Sequence, residues 1–453
     1  MTAATLDGPA STVVAPLLPV VGRDLRVPLV GGGEVEYANL DYAASAPALV
    51  EVAARVLEAL PHYASVHRGA GFASQVSTRL YDKARDDVAR YLRARPDDVV
   101  IFTRHTTDAL NLLASCVPGQ SGDVLVLDVE HHANLLPWRR RGHRYVPHAA
   151  AFEQTLGVLA QALADRPAAL VAVTGASNVT GEVVPIDRVI ALAHRHGARV
   201  VVDAAQLAPH RGIDVTATDA DYVAFSGHKL YAPFGVGVLA GRRDWLDAAP
   251  PYLPGGGAVR EVGAADTWWA DSPERHEAGS PNVLGAHALA TACAALDRLP
   301  PGTLARHDDA LRKLLLNGLA GLGRVRVHRM WTDTTDAVGL VTFSVAGYAP
   351  GLVAAYLSAE HGIGLRDGRF CAHPLLTRLG IPGGAVRASF GVGSTSDDIA
   401  RLIAGLEGLL AAGPRWTYRL TGGQWLPAPE TRPAPAICPD LWHVPGPPVP
   451  CKA

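Results

Sequence analysis

Lysine is scarce in this chain, and one of the few present sits where an amine could do chemistry. Of 41 Lys and Arg residues only four are lysine, at positions 83, 229, 313 and 452. Lys229 lies in SGHKLYAPFGVGVL, directly after the apolar run DYVAFSG and before a Gly/Pro-rich turn. A buried lysine can shed its proton and bond covalently to a carbonyl carbon, which arginine cannot do. Upstream, the run ARVVVDA delivers Asp203 and Gln206 at its end, and DYVAFSG delivers Ser226 and His228. Both runs read as buried strands by length, β-branched content and polar ends. Ligands of parallel α/β sheets gather at the carboxyl ends of strands, so these residues are expected to converge. A lone lysine at a strand end is most often a surface residue, so the weight rests on its company.

Four further stretches carry reactive side chains. In TRHTTDALNLL, Thr106 and Thr107 open a helix, and hydroxyls at a helix amino terminus form a cap or a phosphate site. EHHANLLPW places His131 and His132 at the end of another strand; their adjacent spacing is poor for chelation, and no metal site is expected. RDGRFCAHP sets Cys371 between Gly368 and Pro374, with Arg366, Arg369 and His373 as nearby cations that favour a thiolate. The ordinary fate of a single cysteine is a small buried hydrophobe. VHRGAG contributes His67 and Arg68 in a loop before a helix, where ordinary hydrogen bonds are the simpler reading.

SGHKLYAPFGVGVL resembles the cofactor-lysine motif of class V pyridoxal-phosphate enzymes, and VDAAQ resembles their cofactor-binding strand. Within that class the chain is most similar to group II cysteine desulfurases and selenocysteine lyases, over roughly positions 35 to 412. The resemblance implies that Lys229 holds pyridoxal 5'-phosphate covalently, Asp203 pairs with its ring nitrogen and Gln206 bonds its ring hydroxyl. Thr106, Thr107, Ser226 and His228 then surround the phosphate, and His131 stacks on the ring and moves protons. Asn178, in ASNVTG, falls beside the ring hydroxyl and the substrate carboxylate, and Arg387, in RASFGVGST, grips that carboxylate. Arginine suits the task because its planar fork binds a carboxylate bidentately. Arg366 and His67 are the remaining substrate-side candidates. RDGRFCAHP resembles the RTGHHCAMP-like loop whose cysteine becomes a persulfide, with Arg369 and Phe370 where the family has two histidines. HEAGSPN resembles FEAGTPN, a loop that reaches into the neighbouring subunit; this implies a homodimer with Ser280 completing the partner's phosphate site.

The elements that must position these residues follow from the alternation of short apolar runs with amphipathic helices. Repeated βαβ units predict an α/β fold with a mostly parallel sheet flanked by helices. By resemblance this is fold type I: a large domain with a seven-stranded-type sheet over 35–298, part of its amino-terminal segment joining a small α+β domain over 299–412. Residues 1–34 are expected to be a flexible leader; their apolar stretch lacks a basic n-region and is broken by Pro16 and Pro19, so no targeting signal is read there. Residues 413–453, rich in Pro and Trp, are expected to form an extended strap without its own core. With 48% hydrophobic residues the chain can bury a large core, and a net charge of −2 argues against a nucleic-acid partner. No run approaches a membrane span. Five cysteines without close pairing suit a reducing, cytoplasmic compartment.

The function these expectations compose is removal of sulfur or selenium from cysteine or selenocysteine, giving alanine, with a possible acceptor protein for the Cys371 sulfur. Two alternatives stand beside it. One is a specialised class V enzyme, either a C–S lyase on a cysteine conjugate or an aminotransferase or epimerase of a biosynthetic pathway. The other is a cofactor-free scaffold that keeps the fold, against which Lys229, Asp203 and Gln206 all argue.

Overall fold

The computed structural model describes residues 13–119, 121–140 and 142–439. Its centre is a seven-stranded sheet of β1 (Val99–Thr103), β2 (Asp123–Leu127), β3 (His143–Val146), β4 (Ala168–Thr174), β5 (Arg199–Asp203), β6 (Tyr222–Ser226) and β7 (Gly237–Gly241). The spatial order is β1-β7-β6-β5-β4-β2-β3, with β7 antiparallel to both neighbours and the remaining pairs parallel. Along β5 and β6 successive side chains enter opposite cores: Val200, Val202, Val223 and Phe225 one, Val201, Tyr222 and Ala224 the other. Both faces are therefore covered, which is why these strands read as continuous apolar runs. Register brings Thr174 opposite Asp203 and Ser226 opposite Gly237, so polar residues share one edge of the sheet.

A second core lies around the antiparallel sheet of β8 (Val325–Val327), β9 (Leu340–Val345), β10 (Arg366–Gly368) and β11 (Ala385–Ser389), ordered β8-β9-β11-β10. Helices Thr303–Ala320, Pro350–His361 and Ser396–Ala412 bury Leu311, Leu357 and Leu406 there. The amino-terminal segment joins it: Ala38–Asn39 pairs in parallel with Ile363–Gly364, and Leu40 is fully buried in this core.

Two expectations are corrected. The described part of the leader is packed rather than flexible. Leu17 N donates to Val392 O at 2.7 Å, Val20 is buried, and Arg23 meets Asp398 at 2.8 Å beside the capping box of helix Ser396–Ala412. The apolar run that looked like leader has found a groove, with its backbone paired against the loop after β11. The tail also departs from an extended strap. Tyr418–Thr421 and Gln424–Pro427 form a β-hairpin that packs on helix Pro350–His361. Gly422 and Gly423, at φ 58° and 79°, supply the tight turn. Cys451 lies outside the described residues.

Candidate active site

Most of the reactive residues line one cavity of about 630 Å³ where the two cores meet. Thr106, Thr107, His131, Asn178, Asp203, Gln206, Ser226, His228 and Lys229 reach it from the large sheet, and Arg366, Cys371 and Arg387 from the small one. His67 and Ser280 are not in it. His67 is exposed, bonded to Asp82 at 2.8 Å, and Ser280 sits on an exposed turn beside Tyr63, Ser65 and Arg68. The VHRG and HEAGSPN segments meet each other, Arg68 donating to Gly279 O at 3.4 Å, on a face outside the cavity of their own chain.

Lys229 follows β6 by three residues and is half-buried, opening onto the cavity. Burial is the main cause that pulls its amine down to about 8, with Arg387 acting the same way; Asp203, Cys371 and Asp41 oppose. A substantial neutral fraction at neutral pH is what an amine nucleophile or base requires. Asp203 is buried at the end of β5, where its Oδ1 accepts from Ala205 N at 3.0 Å. Burial raises its carboxyl, and the Lys229 charge counters that. Gln206 is anchored by Nε2 donating to Ala43 O at 2.7 Å.

The other end of the cavity is a cradle. Helix Thr106–Cys116 starts here, and Ser226 Oγ accepts from Thr106 N and shares a bond with Thr106 Oγ1, both at 2.7 Å. A Cβ on Gly237 would come within 2.5 Å of the His105 backbone, so glycine is what lets this turn press against β7. His105 accepts from Asp108 N through Nδ1 at 3.2 Å, which places the proton of the neutral ring on Nε2. His131 likewise accepts from Ala133 N through Nδ1 at 3.0 Å. Burial first, then Lys229, pushes its basicity down to about 3, so it is neutral through the physiological range. His228 falls to about 4, mainly by burial.

The third wall comes from the small sheet. Arg387 on β11 is 4% exposed; Nη1 donates to Asn178 O at 2.8 Å and Nη2 to Asp41 Oδ1 at 3.3 Å. Its Nε is buried without a partner among the described residues. Cys371 is half-buried, and its carbonyl accepts from His132 N at 2.8 Å. Asn178 donates through Nδ2 to Phe370 O at 2.7 Å. Among the described residues no three His, Cys, Asp or Glu side chains gather as a metal site.

Sequence reasoning passed over two contributors. Asp41 stands between Arg387 and Arg366, 3.3 and 4.0 Å from their guanidinium nitrogens. Its signal in the sequence was its place in the run NLDYAAS, just before the first helix. Glu130 is fully buried behind His131, accepting from Asn134 Nδ2 at 2.8 Å and Thr174 N at 2.9 Å, and burial lifts its carboxyl to about 8.

Residues 38–402 match the family model for class-V aminotransferases. The chain belongs to this family. It is accordingly a pyridoxal-phosphate enzyme with the fold-type I architecture. The cysteine desulfurase of Dickeya dadantii is 39% identical over 382 residues, which is 82% of this chain and 91% of that protein. The probable cysteine desulfurase of Vibrio cholerae is 38% identical, covering 78% and 89%. Among solved structures, the cysteine desulfurase CsdA of Escherichia coli superposes with a TM-score of 0.74 at 33% identity, covering 83% and 94%. The apo cysteine desulfurase of Thermococcus onnurineus gives 0.76 at 34%, covering 83% and 95%.

The cavity of this class V enzyme fits the cofactor. It offers an amine of lowered basicity, a buried carboxylate for a ring nitrogen, a helix amino terminus with hydroxyls for a phosphate, and an orphaned Arg387 Nε–H. No helix among the described residues is long and apolar enough to cross a membrane.

Proposed function

We propose that the protein is a cysteine desulfurase that takes sulfur from L-cysteine, releases alanine and holds the sulfur as a persulfide on Cys371. The observation that carries this reading is that Cys371 lines the same cavity as Lys229 and Arg387, with its loop held by His132 and Asn178. The relatives at 33–39% identity that carry the name cysteine desulfurase support it.

Pyridoxal phosphate, when bound, supplies an electron sink for the substrate's α-carbon. The chain's residues do the rest. Lys229 Nζ holds the cofactor and then moves the α-proton, a role suited to its lowered basicity. Asp203 would keep the ring nitrogen protonated, Gln206 and Asn178 would orient the ring hydroxyl, and Thr106, Thr107, Ser226 and His228 would hold the phosphate. His131, neutral at its low basicity and accepting through Nδ1, would face the ring and offer Nε2–H as a donor. Arg387 receives the substrate carboxylate on the edge that carries Nε, and Arg366 stands at the rim. The Cys371 thiolate attacks the substrate sulfur; the carbon–sulfur bond breaks, a sulfur–sulfur bond forms, and the α-amino acid leaves as alanine. Cysteine plus enzyme thiol equals alanine plus enzyme persulfide, so no outside oxidant or reductant enters until an acceptor or reducing thiol removes the sulfur.

The assembly we infer is a cytoplasmic homodimer in which His67 and Ser280 complete the partner's site. Their place outside their own cavity supports it, as do the exposed Leu60, Tyr63, Phe72 and Trp268.

The test is alanine and sulfide released from L-cysteine under a reducing thiol, wild type beside Cys371→Ala. Alanine from wild type, mostly lost in the variant, is expected. Pyruvate, or no turnover of cysteine, would overturn the reading in favour of a lyase or aminotransferase acting on another substrate.

A further inference from the structure

The loop that carries Cys371 is built in a costly conformation. Gly368, Phe370 and Cys371 have φ of 104°, 51° and 52°, so two consecutive residues with side chains occupy the left-handed region. Such residues persist only where their surroundings over-determine them. The restraints include Asn178 Nδ2 on Phe370 O, His132 N on Cys371 O, Ala372 N on Arg369 O, and the Phe370 ring on the Arg387 guanidinium, Cζ to centroid 5.1 Å. The first three grip backbone carbonyls and would accept any side chain at 370. The last depends on the phenyl ring, which is buried at 7% exposure and belongs to the same apolar cluster as Ala372, Leu375 and Leu376.

We propose that Phe370 is a positioning residue for the Cys371 thiol, a latch whose ring closes on Arg387 and sets Cys371 over the cavity. The guanidinium is a fixed plate, since Asn178 O and Asp41 hold Nη1 and Nη2. A planar ring stacked on a planar cation gains both apolar burial and cation–π attraction. The ring lies against the same guanidinium whose Nε is left without a partner among the described residues, the donor a substrate carboxylate would take. Phe370 thus ties two tasks together: the ring that holds the sulfur acceptor in place also lies on the group that would receive the substrate's carboxylate. This rests on Cys371 as the acceptor, yet the latch itself is readable without turnover.

The experiment is alkylation of the reduced holoenzyme with iodoacetamide, each cysteine followed by mass spectrometry, for wild type, Phe370→Ala, Phe370→Leu and Phe370→Tyr. Phe370→Ala is expected to speed labelling of Cys371 by roughly tenfold, the size of change that losing one packed ring contact makes in a local opening. Phe370→Tyr keeps the slow rate, and Phe370→Leu, apolar but without the cation–π contact, falls between. The buried thiols Cys116 and Cys293 are the internal control: their labelling stays slow if only the latch has opened. Equal Cys371 rates in all four proteins would overturn the proposal, as would acceleration at Cys116 and Cys293 in step with Cys371. Should the alanine variant fail to fold, the leucine and tyrosine pair still decides. Failure of the desulfurase reading shows separately, as absent alanine with the alkylation order intact.

Discussion

Arg387, which lines the cavity, pairs with Asp41 from the other end of the chain, Nη2 to Oδ1 at 3.3 Å. Burial lowers the guanidinium's basicity and raises the carboxyl, so each partner disfavours its own charge and is kept ionised chiefly by the other. Removing one partner of a fully buried pair costs about 3–5 kcal/mol. Asp41 keeps part of its side chain exposed, so Asp41→Asn is expected to cost about 2 kcal/mol in denaturant unfolding. The loosened Arg387 should also raise KM for L-cysteine more than it lowers kcat. Unchanged stability and unchanged KM together would show that the pair is incidental.

Lys229 gives a pH prediction with a definite sign. Its amine is drawn from 10.5 to about 8, so between those values the unfolded chain binds a proton that the folded chain has shed. Stability of the cofactor-free protein relative to Lys229→Met should therefore rise with pH across that window, by at most about 3 kcal/mol. It should be flat below pH 8, where both states are protonated. The yellow colour on adding pyridoxal phosphate should likewise form with a rate that climbs to a plateau just above pH 8. A rate still climbing at pH 10 would mean an ordinary lysine.

What was legible in the sequence was whatever a strand of period two had to deliver. Val201 and Val202 fill opposite cores, so the polar residue that ends their run, Asp203, falls at the cavity. The same logic brought Ser226 and Lys229 to it. Asp41 was not legible, because its role comes from two arginines more than 320 residues away in β10 and β11. The leader misled for a related reason: the backbone partner of Leu17 is Val392, which no local pattern announces. The hairpin in the tail was legible and passed over. Two glycines between LT and QW are a two-residue turn signal, outweighed in the reading by the surrounding prolines.

The tail is pinned by one carboxylate. Glu360, at the end of helix Pro350–His361, accepts from Arg415 N at 3.0 Å, Trp416 N at 3.1 Å and Tyr418 Oη at 3.0 Å. Glu360→Ala leaves these donors unpaired and is expected to weaken the attachment of the hairpin by about 1–3 kcal/mol. Because the opening is local, limited proteolysis after Gly413 should accelerate while the main unfolding transition moves little. Equal cleavage rates would mean that Trp425, lying against Gly351, carries the attachment instead.

The surface around Ser280 makes the last prediction. Tyr63 and Ser280 line one concavity, and Phe72, 75% exposed, rises beside His62 on the adjoining helix. Large apolar side chains grouped at this exposure are the mark of a contact face. If a second copy covers it and supplies Ser280 and His67, activity should fall on dilution together with the sedimentation coefficient. A charge placed at the contact, Phe72→Glu, should move both transitions to higher protein concentration, since burying an unpaired carboxylate opposes association. Because Ser280 would complete the partner's phosphate site, retention of the colour after reconstitution should weaken together with turnover. A monomer that turns over cysteine at the full rate would show that this face serves some other contact and that the site is complete within one chain.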